Sequence, residues 1–150
     1  MNEIVPGLYV SGYGEWTDEV YDEDKWLVIC VLENCNQQGF ERYPRIEHTK
    51  HYPLLRGEQI SPSEYATRWP ASRQALDQVA SEIATGIHEG RNVLVHCGAG
   101  LERSPLAVVW YLSKSMGISI DAAYEIVRRA RPQVYDRQSW LPWEMPVEST

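Results

Sequence analysis

The sequence predicts an α/β domain, a central sheet of about four to five strands packed by helices on both faces. Residues 27–32 (LVICVL) and 92–95 (NVLV) are short apolar, β-branched runs, as in strands buried on both sides. Between them Leu76, Val79, Ile83 and Ile87 recur at helical spacing and make one apolar face. Strands alternating with helices build α/β layers.

Taken in order, residues 8–10 (LYV) read as a first short strand, closed by Ser11-Gly12. Residues 15–24 are acidic and weakly patterned, a loop or a poor helix. Residues 33–47 are polar, with Gly39 and Pro44, and read as loop. Residues 51–55 read as a further short strand. Residues 56–63 carry Gly57 and Pro62 and read as an exposed loop. The long amphipathic helix has Pro70 near its start and Gly90 just past its end, the usual asymmetry. The 92–95 strand runs straight into His96-Cys97, and a second helix begins near Arg103. Pro105 suits its first turn, Leu106, Val109, Trp110 and Leu112 supply its core face, and Gly117 stops it. Ser119 caps a third helix over 120–130, ended by Arg131-Pro132. Residues 136–143 hold one more short helix.

The whole chain, residues 1–150, reads as one domain, long enough to bury a core. An apolar share of 43% and a charged share of 23% are ordinary for a soluble protein. No run approaches the roughly 20 apolar residues of a membrane span. The opening MNEIVPGLYV lacks a basic stretch followed by an apolar one, so no secretory signal is expected. A formal charge of −7 argues against nucleic acid as a partner, because the phosphate backbone repels such a surface. Three cysteines cannot pair completely, which points to a reduced, cytoplasmic protein. Cys30 reads as core. Cys35 reads as a surface thiol or as a redox partner of Cys97. His48, His51 and His88 carry no ligand spacing, and no metal or other cofactor is called for.

The informative stretch is VLVHCGAGLERSP, Val93 to Pro105. A buried strand ends at a cysteine, a short loop with glycines follows, and a helix starts at an arginine. The loop N–H groups and the first free N–H groups of the helix converge to form an anion cradle. Gly98 and Gly100 let the backbone take positive φ or approach a ligand closely. The same positive environment favours the thiolate of a cysteine at its floor. Arg103 offers a planar fork for two phosphate oxygens. An arginine at a helix N-terminus is electrostatically unfavourable unless an anion accompanies it. Ser104 sets a hydroxyl beside the cysteine, and His96 holds the loop in shape.

This arrangement, His-Cys-x-x-Gly-x-x-Arg-Ser, resembles the phosphate-binding loop of the protein tyrosine phosphatase superfamily, with His96, Cys97, Gly100, Arg103 and Ser104 at every fixed position. IVPGLYVSG and residues 27–32 resemble the opening strands of its dual-specificity branch, which the small size also favours. The resemblance implies the cysteine phosphatase fold. It also implies a phosphate seat from Gly98, Ala99, Gly100, Leu101, Glu102 and Arg103. Cys97 would attack phosphorus and form a phosphocysteine, which water hydrolyses. The substrate would be a phosphorylated protein or peptide: phosphotyrosine, with or without phosphoserine and phosphothreonine.

One position departs from the family. Its general acid is normally an aspartate in the loop after the strand resembled by 51–55, yet no aspartate occurs between Asp24 and Asp77. Glu58 sits close to where that aspartate would fall and Glu64 lies further along. Glu58 is thus the candidate acid, with an exposed loop charge as the plain alternative. Two other functions remain open: a phospho-binding module with slow turnover, and a phosphatase for RNA 5′-triphosphates or phosphoinositides. The loop interior, without lysine, lowers the latter.

Overall fold

The computed structural model describes residues 1–33, 44–55 and 70–142. Strands β1 (Asn2–Val5), β2 (Leu8–Ser11), β3 (Trp26–Cys30), β4 (Lys50–His51) and β5 (Asn92–His96) form one sheet in the order β1-β2-β5-β3-β4. The β1–β2 hairpin is antiparallel, and every other pairing is parallel. Central β5 aligns Ser11 and Cys30 on either side of His96. The carboxyl ends of β2, β5 and β3 therefore lie side by side, and their following loops meet at one edge, where open parallel sheets place their sites.

Helices α1 (Arg73–His88), α2 (Arg103–Met116) and α3 (Ile120–Ala130) form because each buries apolar residues, and α1 and α3 each start at a capping serine. Ser72 Oγ accepts from the Ala75 N–H at 3.2 Å, and Ser119 Oγ accepts from the Ala122 N–H at 3.1 Å, as N-cap side chains do. Gly117 ends α2 in the left-handed region, as its position predicts.

Strand alternation divides the core in two. Leu8, Val10, Leu27, Ile29, Val93 and Val95 face the three helices and join one large cluster with them. Trp26, Val28 and Leu94 face the other way, against Val20 and Ile46. Both faces are thus covered, which is why the central strands carry nearly unbroken apolar runs. Among the described residues all three α-helices lie on the first face, not on both. The second is closed by a 3-10 turn (Asp18–Tyr21) and by the segment around Ile46.

Three local differences from the sequence reading have simple causes. The edge strand β1 was not expected. It is four residues long and gains its pairing only from β2. The 51–55 strand is cut to β4, because Pro53 has no N–H for the ladder, although Tyr52 and Leu54 still donate to Cys30 and Val31. The short helix expected over 136–143 is a single 3-10 turn, Gln138–Trp140.

Candidate active site

The loop between β5 and α2 is held almost entirely by its carbonyls. Cys97 O meets His96 Nδ1 at 3.3 Å. Gly98 O accepts from Tyr13 N–H at 2.7 Å. Ala99 O and Gly100 O accept from Arg131 at 3.1 and 2.8 Å. Leu101 O accepts from Tyr135 N–H at 3.0 Å, and Glu102 O from Leu106 N–H at 3.1 Å. The carbonyls of residues 97–101 are therefore drawn away from the loop's centre, and that of Glu102 starts the α2 ladder. In a planar trans peptide the next N–H points opposite to the carbonyl. Turning the carbonyls outward turns the loop N–H groups inward, where Gly100 N–H donates to Cys97 Sγ at 3.3 Å.

Cys97 is buried at the floor of this loop, 2% exposed. Ser104 Oγ lies 3.3 Å from its sulfur and 3.5 Å from Ser11 O. The single hydroxyl proton can serve the Ser11 carbonyl while the cysteine is a thiol, and turn to the sulfur when it is a thiolate. Gly100 has φ 72, and a Cβ there would stand 2.5 Å from Gly12 N and Ser11 C. The loop and the β2 exit pass too closely for a side chain. Gly98, by contrast, is not at positive φ, and a Cβ there would make only an ordinary contact with Leu32. Of the two glycines singled out for backbone freedom, Gly100 is the one that uses it.

Arg131, which the sequence suggests only as a helix end, is the residue that organises the loop from beneath. Its side chain is 3% exposed. Besides the two loop carbonyls it donates to Asn2 Oδ1 and Glu15 Oε1, at 2.7 and 2.8 Å. Glu15 Oε1 also accepts from Gly12 N–H at 2.8 Å. Burial opposes the charge on Glu15, yet the hydrogen bonds from Arg131 and Gly12 outweigh it and hold the carboxyl below its usual range. No spacing in the sequence links residues 2, 12, 15 and 131; only the fold assembles them. Arg131→Met should cost about 2–4 kcal/mol in urea unfolding, because it strands buried acceptors and a carboxylate. A midpoint unchanged from the parent would show that the network contributes nothing to stability.

Arg103 opens α2 and reaches across to Glu33, just beyond β3. Its Nε and Nη2 donate to Glu33 Oε2 and Oε1 at 3.0 and 2.9 Å. Glu102 is paired with Arg137 at the rim, 2.6 Å apart. His96 is buried against Trp16 and Tyr13, and burial depresses its pKa to about 4. It is neutral at physiological pH and holds a backbone carbonyl, so its geometry is that of a support. Cys30 is fully buried in the core, as expected, and is disulfide-bonded, which departs from the reduced protein expected from the cysteine count. Cys97 is the free cysteine among the described residues. Glu58, Glu64 and Cys35 lie outside the described residues. Among the described residues no cluster of three or more His, Cys, Asp and Glu side chains could hold a metal, and no helix is long and apolar enough to cross a membrane.

Residues 26–145 match the family model of the dual specificity phosphatase catalytic domain. The chain belongs to this family. It is 26% identical over 141 residues to a probable dual specificity protein phosphatase of Dictyostelium discoideum, covering 94% of this chain and 32% of that protein. It is 27% identical over 154 residues to the dual specificity protein phosphatase Mpk3 of Drosophila melanogaster, covering 98% and 34%. The chain thus spans about a third of the length of these relatives. Human DUSP28 superposes with a TM-score of 0.66 at 18% identity, over 99% of this chain and 94% of that one. That likeness shows the dual specificity phosphatase fold, with its mixed sheet and flanking helices.

Proposed function

We propose that this dual specificity phosphatase domain hydrolyses phosphate monoesters on proteins, phosphotyrosine foremost, through a phosphocysteine on Cys97. The observation that carries the reading is the run of outward-held carbonyls over residues 97–101 together with Gly100 N–H donated to Cys97 Sγ, which supports a loop whose N–H groups face a bound anion. Amides fixed in this way before substrate arrives stabilise a transferring phosphoryl group at no cost in reorganisation. The Cys97 thiolate attacks phosphorus, the P–O bond to the leaving group breaks, and an acid protonates the departing oxygen. Water then attacks the phosphocysteine, the S–P bond breaks, and inorganic phosphate and thiolate result. Arg103 supplies the two-point contact to the equatorial oxygens, and Ser104 donates to the returning thiolate. Phosphoserine and phosphothreonine proteins are the further substrates that the family name suggests.

Glu58 is our candidate for the acid. The test compares kcat for phosphotyrosine peptide and p-nitrophenyl phosphate in the parent, Glu58→Gln and Glu64→Gln. Loss of the acid should depress the phosphotyrosine peptide, whose phenol leaving group needs a proton, more than p-nitrophenyl phosphate, whose leaving group is stable as an anion. That pattern in Glu64→Gln alone moves the acid there. Its absence from both, with slow turnover in the parent, favours a phospho-binding module, a reading prompted by the missing aspartate. Phosphoinositide or triphosphate-ended RNA hydrolysed faster than any phosphopeptide would overturn the substrate class.

A further inference from the structure

We infer that Glu33 is a built-in occupant of the Arg103 fork, which a phosphate dianion must displace in order to bind. This rests on the reading above, in which Arg103 contacts the phosphoryl group. Topology brings the two side chains together. Cys30 and His96 are in register on adjacent parallel strands, so the chain beyond each emerges at the same sheet edge. Glu33 lies just past the first of those ends, and Arg103 opens α2 after the loop that follows the second. The contact is two-point, Nε to Oε2 and Nη2 to Oε1, at 3.0 and 2.9 Å. A carboxylate and two oxygens of a phosphoryl group offer a guanidinium the same pair of acceptors. Glu33 therefore stands where a ligand's oxygens would.

The pair is built to open. Its side chains are 26% and 40% exposed, so a displaced carboxylate returns to water and recovers its hydration. The contrast is Arg131, 3% exposed and held by four acceptors, which has nowhere to go. Charge decides the exchange. Glu33 brings one negative charge, whereas a phosphate monoester carries about −1.5 to −2 at neutral pH and also meets the inward amides. A dianion can displace Glu33; a monoanion such as a carboxylate or a phosphodiester gains nothing over it. Glu33 thereby acts as a specificity-determining residue, raising the threshold for entry and favouring monoesters over singly charged ligands.

The test is calorimetric titration of the purified chain with tungstate, a non-hydrolysable oxyanion, in the parent, Glu33→Gln, Glu33→Asp and Arg103→Ala, and in Glu33→Gln combined with Arg103→Ala. Glu33→Gln should bind tungstate about two- to fivefold more tightly, the scale of a partly exposed ion pair. Its KM for p-nitrophenyl phosphate should fall by a similar factor. Glu33→Asp, shorter but still charged, should lie between. In the Arg103→Ala background the Glu33 substitution should have no effect. Unchanged or weaker tungstate binding in Glu33→Gln, with a lower kcat, would overturn the inference and make Glu33 a brace for Arg103, leaving the phosphatase reading intact. Failure of the parent and all variants to bind tungstate would instead overturn the phosphatase reading, and the inference with it.

Discussion

Cys97→Ser should reduce turnover by at least about 10⁴-fold while tungstate binding persists within a few-fold of the parent. The separation follows from what the loop does without the sulfur. The carbonyls that hold it accept from Tyr13 N–H, Arg131 and Tyr135 N–H, and none of these bonds is made to the Cys97 sulfur. A serine oxygen at the same place still meets Gly100 N–H and Ser104, so the seat for the anion keeps its shape. Chemistry is lost because a serine hydroxyl stays protonated at neutral pH, and among the described residues the Cys97 side chain is hydrogen-bonded to Ser104 and Gly100 N–H, neither of them a base. His96 cannot take that part: its ring meets the Cys97 carbonyl and is buried on the far side. Parent-like rates in the variant would overturn the nucleophile. Loss of anion binding together with turnover would show instead that the sulfur is needed to shape the loop.

The residues that could be read from sequence are those whose neighbours in the chain are also their neighbours in space. The strand–loop–helix unit from β5 to α2 is one such segment, and its cysteine, Gly100, Arg103 and Ser104 stand within the loop and first helical turn. Helix α3 was legible to the residue, because Gly117, Ser119 and Arg131-Pro132 mark its approaches and end chemically. What could not be read depends on long-range assembly. Arg131 reaches the loop 31 residues upstream and Asn2 129 residues upstream, and neither separation has a pattern. Glu33 looked like the first residue of a polar loop; its role is visible only once β3 is set beside β5. Gly12 closed a strand in the sequence reading, whereas its packing against Gly98 O at 2.6 Å from a notional Cβ makes it part of the loop's wall. Strand β1 was missed although IVPGLYV carries a Pro-Gly turn between alternating residues, a hairpin signal that was available.

Arg103→Lys should lower kcat/KM by about 10²–10³-fold, ~2.7–4 kcal/mol of transition-state stabilisation, the range for losing an oriented donor to a reacting oxyanion. The positive charge survives the substitution, so the effect isolates geometry. Arg103 makes a planar two-point contact through Nε and Nη2, as its pairing with Glu33 displays. Lysine presents a single ammonium that cannot hold two equatorial oxygens as they flatten during transfer. Stability should move by no more than about 1 kcal/mol, since the Glu33 pair is partly exposed. Equal unfolding midpoints would therefore assign the kinetic loss to the site and not to the fold. Arg129→Lys, on the exposed side of α3, is the matched control for the chemistry of the swap. A loss under tenfold in Arg103→Lys, ~1.4 kcal/mol, would mean that charge alone suffices and that the fork is not the phosphoryl contact. Because a lysine would also lose the two-point hold on Glu33, Glu33→Gln should change tungstate affinity less in the Arg103→Lys background than in the parent.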